Sequence, residues 1–154
     1  MIRKARNEDV PGIRQFLANR EEHGIIPRPL AYIYGHLRDY HIFSGNLSQP
    51  KIVGMAALHI CWDGVAEIRS LAVRARCRGK GIGRKLVEEC LAEALCLGIN
   101  EVFLLTLVPQ YFSQFGFEIV KRDEIPVVAW ADCVHCTRFP ECNEIPMIKN
   151  LYPF

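Results

Sequence analysis

Six consecutive residues near the middle of the chain have the types and order needed to hold a phosphate. They lie between the apolar run 67–73 and a helical pattern that begins near Leu86, and they read Arg78-Gly79-Lys80-Gly81-Ile82-Gly83. Glycines let the backbone approach an anion with positive φ, and the free N–H groups of a following helix point at it. Arg78, Lys80, Arg84 and Lys85 add four cations. The segment predicts a phosphate or pyrophosphate site; the alternative is a tight turn whose glycines are purely steric.

Two familiar phosphate loops fit this segment poorly. A Walker loop requires Gly-Lys followed by Ser or Thr, but Lys80 is followed by Gly81. A dinucleotide-binding turn lies in the first βαβ unit, with an acidic residue about 20 residues further on. Here the segment lies in mid-chain and begins with Arg78. The pattern therefore favours another kind of phosphate loop.

Hydrophobic periodicity predicts the elements that must position this loop. Strands are expected over 2–5, 41–43, 52–61, 66–73 and 102–106, with a hairpin turn at Asp63-Gly64. One helix is expected from the capping residues 7–9 to about Glu22, with Pro11 in its first turn, and a second over 30–37. The helix after the loop presents Leu86, Cys90 and Ala94 on one face and is expected to end before Gly98. Together these elements predict an α+β domain with a mixed, mostly antiparallel sheet and helices on both faces.

Length and composition bound the class of protein. The chain has 154 residues, of which 50% are hydrophobic and 23% charged, so we expect a single domain over residues 1–154. A net charge of +2 is too small to indicate a nucleic-acid partner. No apolar stretch approaches the length of about 20 residues that spans a bilayer, and residues 1–4 lead into no signal-peptide core. We therefore expect no membrane association and a cytoplasmic location.

The loop also matches Arg/Gln-x-x-Gly-x-Gly/Ala, and here the chain resembles the GNAT superfamily of N-acetyltransferases. The resemblance covers roughly residues 2–120 and includes the strand from Glu67, the strand 102–106 and the Gly116-Phe117 pair after a short helix. It implies a six- to seven-stranded sheet and acetyl-CoA as co-substrate. It also implies that the thioester oxygen is polarised by backbone N–H groups near Leu71, Ala72 and Val73. The pyrophosphate would be held by Arg78, Gly79, Lys80, Gly81, Ile82, Gly83 and Arg84.

Acyl transfer to an amine needs a base, because a primary amine is protonated at pH 7 and must lose a proton before it attacks. Glu67 lies 11 residues before Arg78, a separation that resembles superfamily members with a glutamate base. The alternative is that Glu67 occupies the solvent side of an alternating strand.

The general acid is less well defined by the resemblance. Many relatives place a tyrosine four residues before the glycine of the Gly-Phe pair, but that position is Phe112 here, with Tyr111 as its neighbour. One residue along a helix rotates a side chain by about 100°, so Tyr111 need not point at the sulfur. Three alternatives stay open: Ser113 serves instead, CoA leaves as a thiolate without an acid, or Tyr111 is a packing residue.

A narrower resemblance concerns the acceptor. The strand from Glu67, the segment 112–117 and above all the segment 130–145 resemble the short, single-domain form of N-acetylglutamate synthase. That family acetylates the amine of glutamate as the first step of arginine biosynthesis. Arg28 resembles an arginine that binds a substrate carboxylate, and Arg69 is a second candidate on the strand of Glu67 if the alternation holds. Either arginine is otherwise an ordinary surface residue.

Six of the seven cysteines form two groups. Cys61, Cys90 and Cys96 lie in apolar or helical surroundings and are expected to be buried. Cys133, Cys136 and Cys142 are spaced C-x2-C-x5-C around His135 and offer three alternatives. These are a structural zinc site, reduced thiols packed near the substrate, and a redox pair.

Three hypotheses about function therefore stay open. The first is acetyl transfer to glutamate, and the second is the same chemistry on another small amine, amino acid or protein N-terminus. The third is a non-catalytic module that binds acyl-CoA as a sensor. An exposed strand over 145–148 would also allow a homodimer.

Overall fold

The computed structural model describes residues 1–18, 25–45, 52–127 and 143–152. The described part contains seven β-strands and four α-helices. The strands are β1 Ile2–Lys4, β2 Tyr40–Ser44, β3 Ile52–Trp62, β4 Val65–Val73, β5 Glu101–Thr106, β6 Glu118–Ile119 and β7 Ile145–Asn150. The helices are α1 Val10–Leu17, α2 Leu30–Gly35, α3 Ile82–Cys96 and α4 Pro109–Ser113.

The strands form one sheet in the order β1-β2-β3-β4-β5-β7-β6. All neighbours pair antiparallel except β4 and β5, which are parallel because α3 connects them as a crossover. The predicted α+β class and mostly antiparallel sheet are therefore confirmed, and the sheet has seven strands.

Side-chain alternation along β3 divides the core into two layers. Ala56 and Leu58 pack in the cluster that contains the buried face of α3, including the predicted Leu86, Cys90 and Ala94. Met55 and Ala57 point the other way and pack with the apolar residues of α1 and α2. Since successive strand residues face opposite sides, the predicted arrangement of helices on both faces is confirmed.

The second helix is shorter than predicted. The α-helix ends at Gly35, and Leu37–Asp39 continue as a single 3₁₀ turn. His36 has φ −112° and ψ 19°, outside the helical range. Its Nδ1 lies 2.8 Å from the Tyr32 carbonyl oxygen, so the side chain satisfies a carbonyl at the helix end. This local hydrogen bond explains why the apolar pattern over 30–37 overestimates the helix.

Two other expectations about elements need correction. The helix expected to reach about Glu22 has its α-helical part over Val10–Leu17, and Glu22 lies outside the described residues. The strand expected at an exposed edge is interior, because β7 pairs with β5 on one side and β6 on the other. Its backbone groups are therefore used within the sheet. A homodimer stays a prediction, but β7 does not provide the exposed edge that was expected for it.

The first helix is anchored to the first strand by charge. Arg3 of β1 makes a two-bonded ion pair with the buried Asp9, at 2.6 and 2.9 Å. The Asp9 carboxylate also accepts the Arg6 backbone N–H at 2.7 Å. None of the helices in the described ranges is both long and apolar enough to cross a bilayer.

Candidate active site

A cavity of about 720 Å³ lies where β4 and β5 diverge. The two strands pair only from Val65 to Glu67 on β4 and from Glu101 to Phe103 on β5. Beyond that point residues of both strands, from Ile68 to Val73 and from Leu104 to Thr106, line the cavity. The gap in the sheet is thus the candidate site, and it leaves β4 backbone groups on that side without a neighbouring strand.

A β-bulge in β4 marks the edge of this gap. Ala57 faces Arg69 in the register, whereas Met55 faces Ala72, so β4 carries one extra residue across from Ala56. Ser70 takes up the irregularity with φ +58°, the only positive φ of a non-glycine residue in the described part of the chain. The composition of β4 contained no signal for this bulge, because Ser is not a residue that favours left-handed φ.

The bulge shifts the direction of the backbone amides near Val73. The Arg74 N–H donates to the Val53 carbonyl at 2.8 Å, so Arg74 occupies a hydrogen-bonded position against β3. In an antiparallel ladder such positions alternate, so the N–H and C=O of Val73 point away from β3 and into the gap. The Val73 carbonyl accepts a hydrogen bond from Arg78 Nε at 3.2 Å, which agrees with this direction.

Three glycines of the turn are required for two different reasons. Gly79 and Gly81 have φ +78° and +80°, and a Cβ on either would meet nothing within 4 Å, so the requirement is conformational. Gly83 lies in the first turn of α3, where a Cβ would come within 2.7 Å of the Tyr111 hydroxyl. Glycine at position 83 therefore allows the aromatic side chain of α4 to approach the helix start.

The predicted anion-binding residues surround the cavity at the N-terminus of α3. Helical hydrogen bonding begins with the Lys85 N–H donating to the Gly81 carbonyl at 3.1 Å, so the amides of residues 82–84 are not used within the helix. Of the ten predicted cofactor residues, the exposed Lys80 does not line the cavity. The other nine do, and they are Leu71, Ala72, Val73, Arg78, Gly79, Gly81, Ile82, Gly83 and Arg84.

Arg84 is held at the rim by its neighbours. It donates a hydrogen bond to the Gln114 side chain and lies 5.3 Å from the centre of the Phe115 ring. A weaker, exposed ion pair with Glu88 spans 3.7 Å. These contacts connect the start of α3 to α4 across the mouth of the cavity.

Tyr111 lies in the cavity, whereas Ser113 does not. Tyr111 packs edge-on against Phe112 and Phe115, and burial raises the pKa of its phenol, so the hydroxyl stays protonated at neutral pH. The Ser113 hydroxyl instead donates to the Pro109 carbonyl at 3.1 Å and is exposed. Of the predicted acids, Tyr111 is therefore the one beside the gap.

On the opposite face of the sheet, Glu67 and Arg69 lie side by side. Both side chains are 13% exposed, and Arg69 Nη1 lies 3.5 Å from Glu67 Oε1. Ile68 lies between them in the chain and Ala66 directly precedes Glu67, and both pack in the α3 layer. The predicted alternation therefore holds as far as Arg69. Arg69 also lines the cavity, and it thereby connects the gap to the surface that carries Glu67.

Arg28 and Arg69 meet at one aromatic ring. The Arg28 guanidinium lies 4.2 Å from the centre of the Tyr32 ring, and Arg69 donates a hydrogen bond to the Tyr32 hydroxyl. Beneath them, burial raises the pKa of Tyr40 to about 12, so that side chain is neutral. The two arginines that lie 41 positions apart in the chain thus converge beside Glu67.

Several neighbours of these arginines were not singled out from the sequence. Tyr32 stacks on His36 with ring centres 3.8 Å apart, and His59 lies 5.3 Å beyond, with its Nδ1 2.7 Å from Asp39 Oδ2. For Tyr32 and His36 the available signal was their spacing of four residues, typical of one helix face. On the other side of the cavity, the buried Glu144 was missed because only the fold brings it there.

The cysteines are distributed differently from the expectation. Cys90 is fully buried and Cys61 half-buried, but Cys96 is exposed at the end of α3, so its predicted burial is wrong. Its position faces away from the helix stripe that contains Cys90 and Ala94. Among the residues that the structure describes there is no cluster of metal-ligating side chains, and Cys133, Cys136 and Cys142 lie outside them.

Comparison with known proteins decides the family. Residues 10–117 match the model of the acetyltransferase (GNAT) family. The chain belongs to this family. It is 35% identical to an uncharacterized N-acetyltransferase of Chlorobaculum tepidum over 97% of this chain and 96% of the relative. It is 32% identical to an amino-acid acetyltransferase of Mycobacterium tuberculosis, over 76% of this GNAT chain and 67% of the relative.

Solved structures agree with this family. A Mycobacterium tuberculosis protein in complex with CoA and NLQ matches with a TM-score of 0.81 and 26% identity, over 99% of both chains. N-acetylglutamate synthase from Neisseria gonorrhoeae, in complex with CoA and N-acetyl-glutamate, matches with a TM-score of 0.84 and 26% identity. That match covers 99% of this GNAT chain and 35% of the synthase chain.

This GNAT chain is accordingly an acyltransferase that uses acetyl-CoA as co-substrate. The site fits that molecule, because two positive-φ glycines, the free amides of α3 and two arginines surround one mouth of the cavity. The Val73 N–H that points into the gap is a fixed donor of the kind that can stabilise negative charge on a carbonyl oxygen.

Proposed function

We propose that the protein transfers the acetyl group of acetyl-CoA to the α-amine of L-glutamate, within a ternary complex. In the cytoplasm this reaction would be the first step of arginine biosynthesis. The observation that carries the proposal is the convergence of Arg28 and Arg69 on Tyr32, beside the Glu67 carboxylate. Glutamate has two carboxylates, and paired guanidinium groups are the side chains best suited to bind them.

Glu67 acts as the base in this proposal. Its carboxylate removes a proton from the acceptor ammonium, directly or through water, and the amine then attacks the thioester carbon. Arg69 stands 3.5 Å from Glu67, and a cation at that distance favours the ionised carboxylate that can accept a proton. The same arginine orients the acceptor, so binding and deprotonation are coupled at one position.

The gap in the sheet supports the rest of the reaction. The Val73 amide that points into the gap stabilises negative charge on the thioester oxygen, and fixed donors of this kind often lower the barrier to acyl transfer more than any other group in the site. Tyr111 donates its phenolic proton to the departing CoA sulfur. The raised pKa of Tyr111 keeps that proton in place at neutral pH. The second proton that the attacking nitrogen must lose to become an amide then restores the phenol, through water.

A comparison of acceptors tests the substrate. Acetyl-CoA consumption is measured with glutamate, glutamine, aspartate, lysine and a polyamine, and the acceptors are compared by kcat/KM. We expect glutamate to have the highest value. Equal values for all five would overturn the glutamate assignment and leave a GNAT enzyme for another amine, amino acid or protein N-terminus.

Arginine variants test the carboxylate contact. Arg28→Ala should raise the KM for glutamate by about tenfold or more, because a charge-assisted hydrogen bond contributes about 1.5–3 kcal/mol. Arg28→Lys should recover part of that loss, since lysine keeps the charge but not the two-bonded geometry. The exposed Arg38 is the matched control, and Arg38→Ala should leave KM unchanged.

The base is tested separately. Glu67→Gln should lower kcat by about a hundredfold or more, which is the usual contribution of a general base. Unchanged turnover would overturn the assignment. If no acceptor were acetylated while acetyl-CoA still bound, the result would instead favour a sensor module.

A further inference from the structure

A histidine and a carboxylate beside Glu67 have no part in the proposed reaction so far. His59 lies directly opposite Glu67 in the β3–β4 register, and its Nδ1 is 2.7 Å from Asp39 Oδ2. We propose that His59, held by Asp39, carries the acceptor's proton from Glu67 to solvent. This inference rests on the proposed function, in which Glu67 is the base, and it makes His59 a positioning residue that acts through Glu67.

Register places His59 on the same face as Glu67. Directly opposite residues on an antiparallel pair have Cβ atoms about 4.5–5.5 Å apart and project to the same side of the sheet. Two residues along, Ala57 faces Arg69, and Ala57 packs in the layer of α1 and α2. His59, Glu67 and Arg69 therefore lie together on the side where the two arginines converge.

Two neighbours orient the His59 ring. With the Nδ1 proton donated to the Asp39 carboxylate, Nε2 is the ring nitrogen left with a lone pair, which is the tautomer needed to accept a proton. The His36 ring lies 5.3 Å away, tilted by 46°, and is itself stacked on Tyr32. Asp39 comes from the 3₁₀ turn after α2, so the same short segment holds Tyr32, His36 and Asp39 in relation to β3.

Exposure increases from Glu67 outwards. The Glu67 side chain is 13% exposed, whereas His59 and Asp39 are 29% and 21% exposed. A base that stays protonated after each turnover must be returned to its carboxylate form, and a buried base with a bound acceptor has restricted contact with water. His59 is the more exposed partner on the same face, and the lone pair on its Nε2 can accept a proton.

The proton balance is simple. The acceptor ammonium gives one proton to Glu67, which becomes a neutral carboxylic acid. Glu67 passes that proton, directly or through water, to Nε2 of His59, and the Asp39 carboxylate offsets the positive charge of the imidazolium. His59 then releases the proton from Nε2 to water, which restores both starting forms. No oxidant, reductant or further reactant takes part.

Charged and titratable groups face His59 from the elements packed against it. They come from β4, from α2 with the segment before it, and from the 3₁₀ turn, and they are Glu67, Arg69, Arg28, Tyr32, His36 and Asp39. Because several of these groups carry charge, each variant must change one side chain only, and kcat must be measured as a function of pH.

Conservative variants separate the relay from the fold. Asparagine keeps a donor near the position of Nδ1 but cannot carry a proton, so His59→Asn tests the relay while it keeps the contact with Asp39. Asp39→Asn removes the carboxylate charge and keeps the size. His59→Ala opens space for imidazole added to the buffer. His41→Gln is the control, because His41 is a buried histidine that contacts Glu93 of α3 and lies outside this site.

We expect His59→Asn to lower kcat by about tenfold near neutral pH, a modest acid–base contribution because His59 acts through Glu67. The KM for the acceptor should change by less than about twofold, since no substrate contact is lost. The acidic limb of the kcat profile should change shape, and added imidazole should restore part of the activity of His59→Ala. Asp39→Asn should give a smaller loss of kcat in the same direction.

Three results would overturn the relay. They are an unchanged kcat profile in His59→Asn, no recovery of His59→Ala with imidazole, and an equal effect of His41→Gln. Thermal unfolding of each variant shows that the protein assayed is folded, and His59→Asn still decides the question if His59→Ala does not fold. Glu67→Gln distinguishes the two proposals: full activity there contradicts the proposed base, whereas loss there with normal His59→Asn contradicts the relay alone.

Discussion

Arg69 on the strand β4 donates a hydrogen bond to the Tyr32 hydroxyl on the helix α2. This contact joins a residue that lines the cavity between β4 and β5 to a ring that also contacts Arg28 and His36. It brings the two substrate arginines of the proposal into one arrangement, although neither sequence position indicates it.

Removal of that hydroxyl should weaken acceptor binding. Tyr32→Phe keeps the ring that stacks on His36 but removes one of the acceptors that orient Arg69, so we expect the KM for glutamate to rise about tenfold with a smaller change in kcat. Steady-state kinetics measure both values. Tyr34 lies on the same helix and is 47% exposed, so Tyr34→Phe is the control and should behave as the parent protein. An equal KM in Tyr32→Phe would contradict the positioning role of this contact.

The close approach of Tyr111 to Gly83 predicts that the effects of substitutions at these two positions are coupled. Gly83→Ala would place a Cβ 2.7 Å from the Tyr111 hydroxyl, so Tyr111 must move and acetyl-CoA binding should weaken. In Gly83→Ala with Tyr111→Phe the clashing oxygen is absent, and binding should recover. Calorimetry with CoA measures this coupling, which we expect to reach about 1 kcal/mol for residues in contact.

Tyr111→Phe alone tests whether the phenol acts as the general acid. It should leave CoA binding unchanged and lower kcat by about a hundredfold if the phenol protonates the sulfur. A variant that binds CoA normally and turns over normally would mean that Tyr111 has a packing role only.

Stability should fall in mildly acidic solution because of His41. Burial, then the nearby Lys4, lowers the pKa of this histidine, while Glu93 at 2.6 Å opposes the shift. The lowered direction is consistent with a neutral ring whose Nε2–H donates to the Glu93 carboxylate. Since the unfolded chain then binds a proton first, stability is full above the ordinary pKa of about 6.5 and is lost as the pH falls through the lowered folded value.

Thermal unfolding measured between about pH 7.5 and about pH 5.5 checks this prediction, because carboxylates titrate mostly below that range. The parent protein should lose stability across the range, and His41→Gln should lose less, since glutamine keeps an amide donor for Glu93 but does not titrate. Parallel curves for the two proteins would contradict a contribution from His41.

Thiol reactivity should separate two cysteines of the same helix. Burial raises the pKa of Cys90 to about 12, so its thiolate is scarce and inaccessible, whereas Cys96 is exposed. When thiols are titrated with a chromogenic disulfide, Cys96→Ser should therefore show one fast-reacting thiol fewer than the parent protein, and Cys90→Ala should show the same number. A decrease in Cys90→Ala alone would reverse the assignment.

The order of elements was predictable because each depends on local patterns. The alternating apolar residues of β3 and β4, the turn at Asp63-Gly64 and the apolar stripe of α3 all correspond to the observed structure. The end of α2 was not predictable in the same way. It depends on a hydrogen bond of the His36 ring to the Tyr32 carbonyl, which competes locally with the helix.

The amino-acid sequence by itself determined the glycine-rich turn, since positive φ at Gly79 and Gly81 and the helix that follows are local properties of adjacent residues. Only the tertiary structure decided where β4 and β5 separate, that Ser70 forms a bulge, and that Gly83 makes room for Tyr111. It alone also brought Arg28, Arg69 and His59 to one face. The physical reason is that these relationships depend on register and packing between elements distant in the chain, and no local preference encodes them.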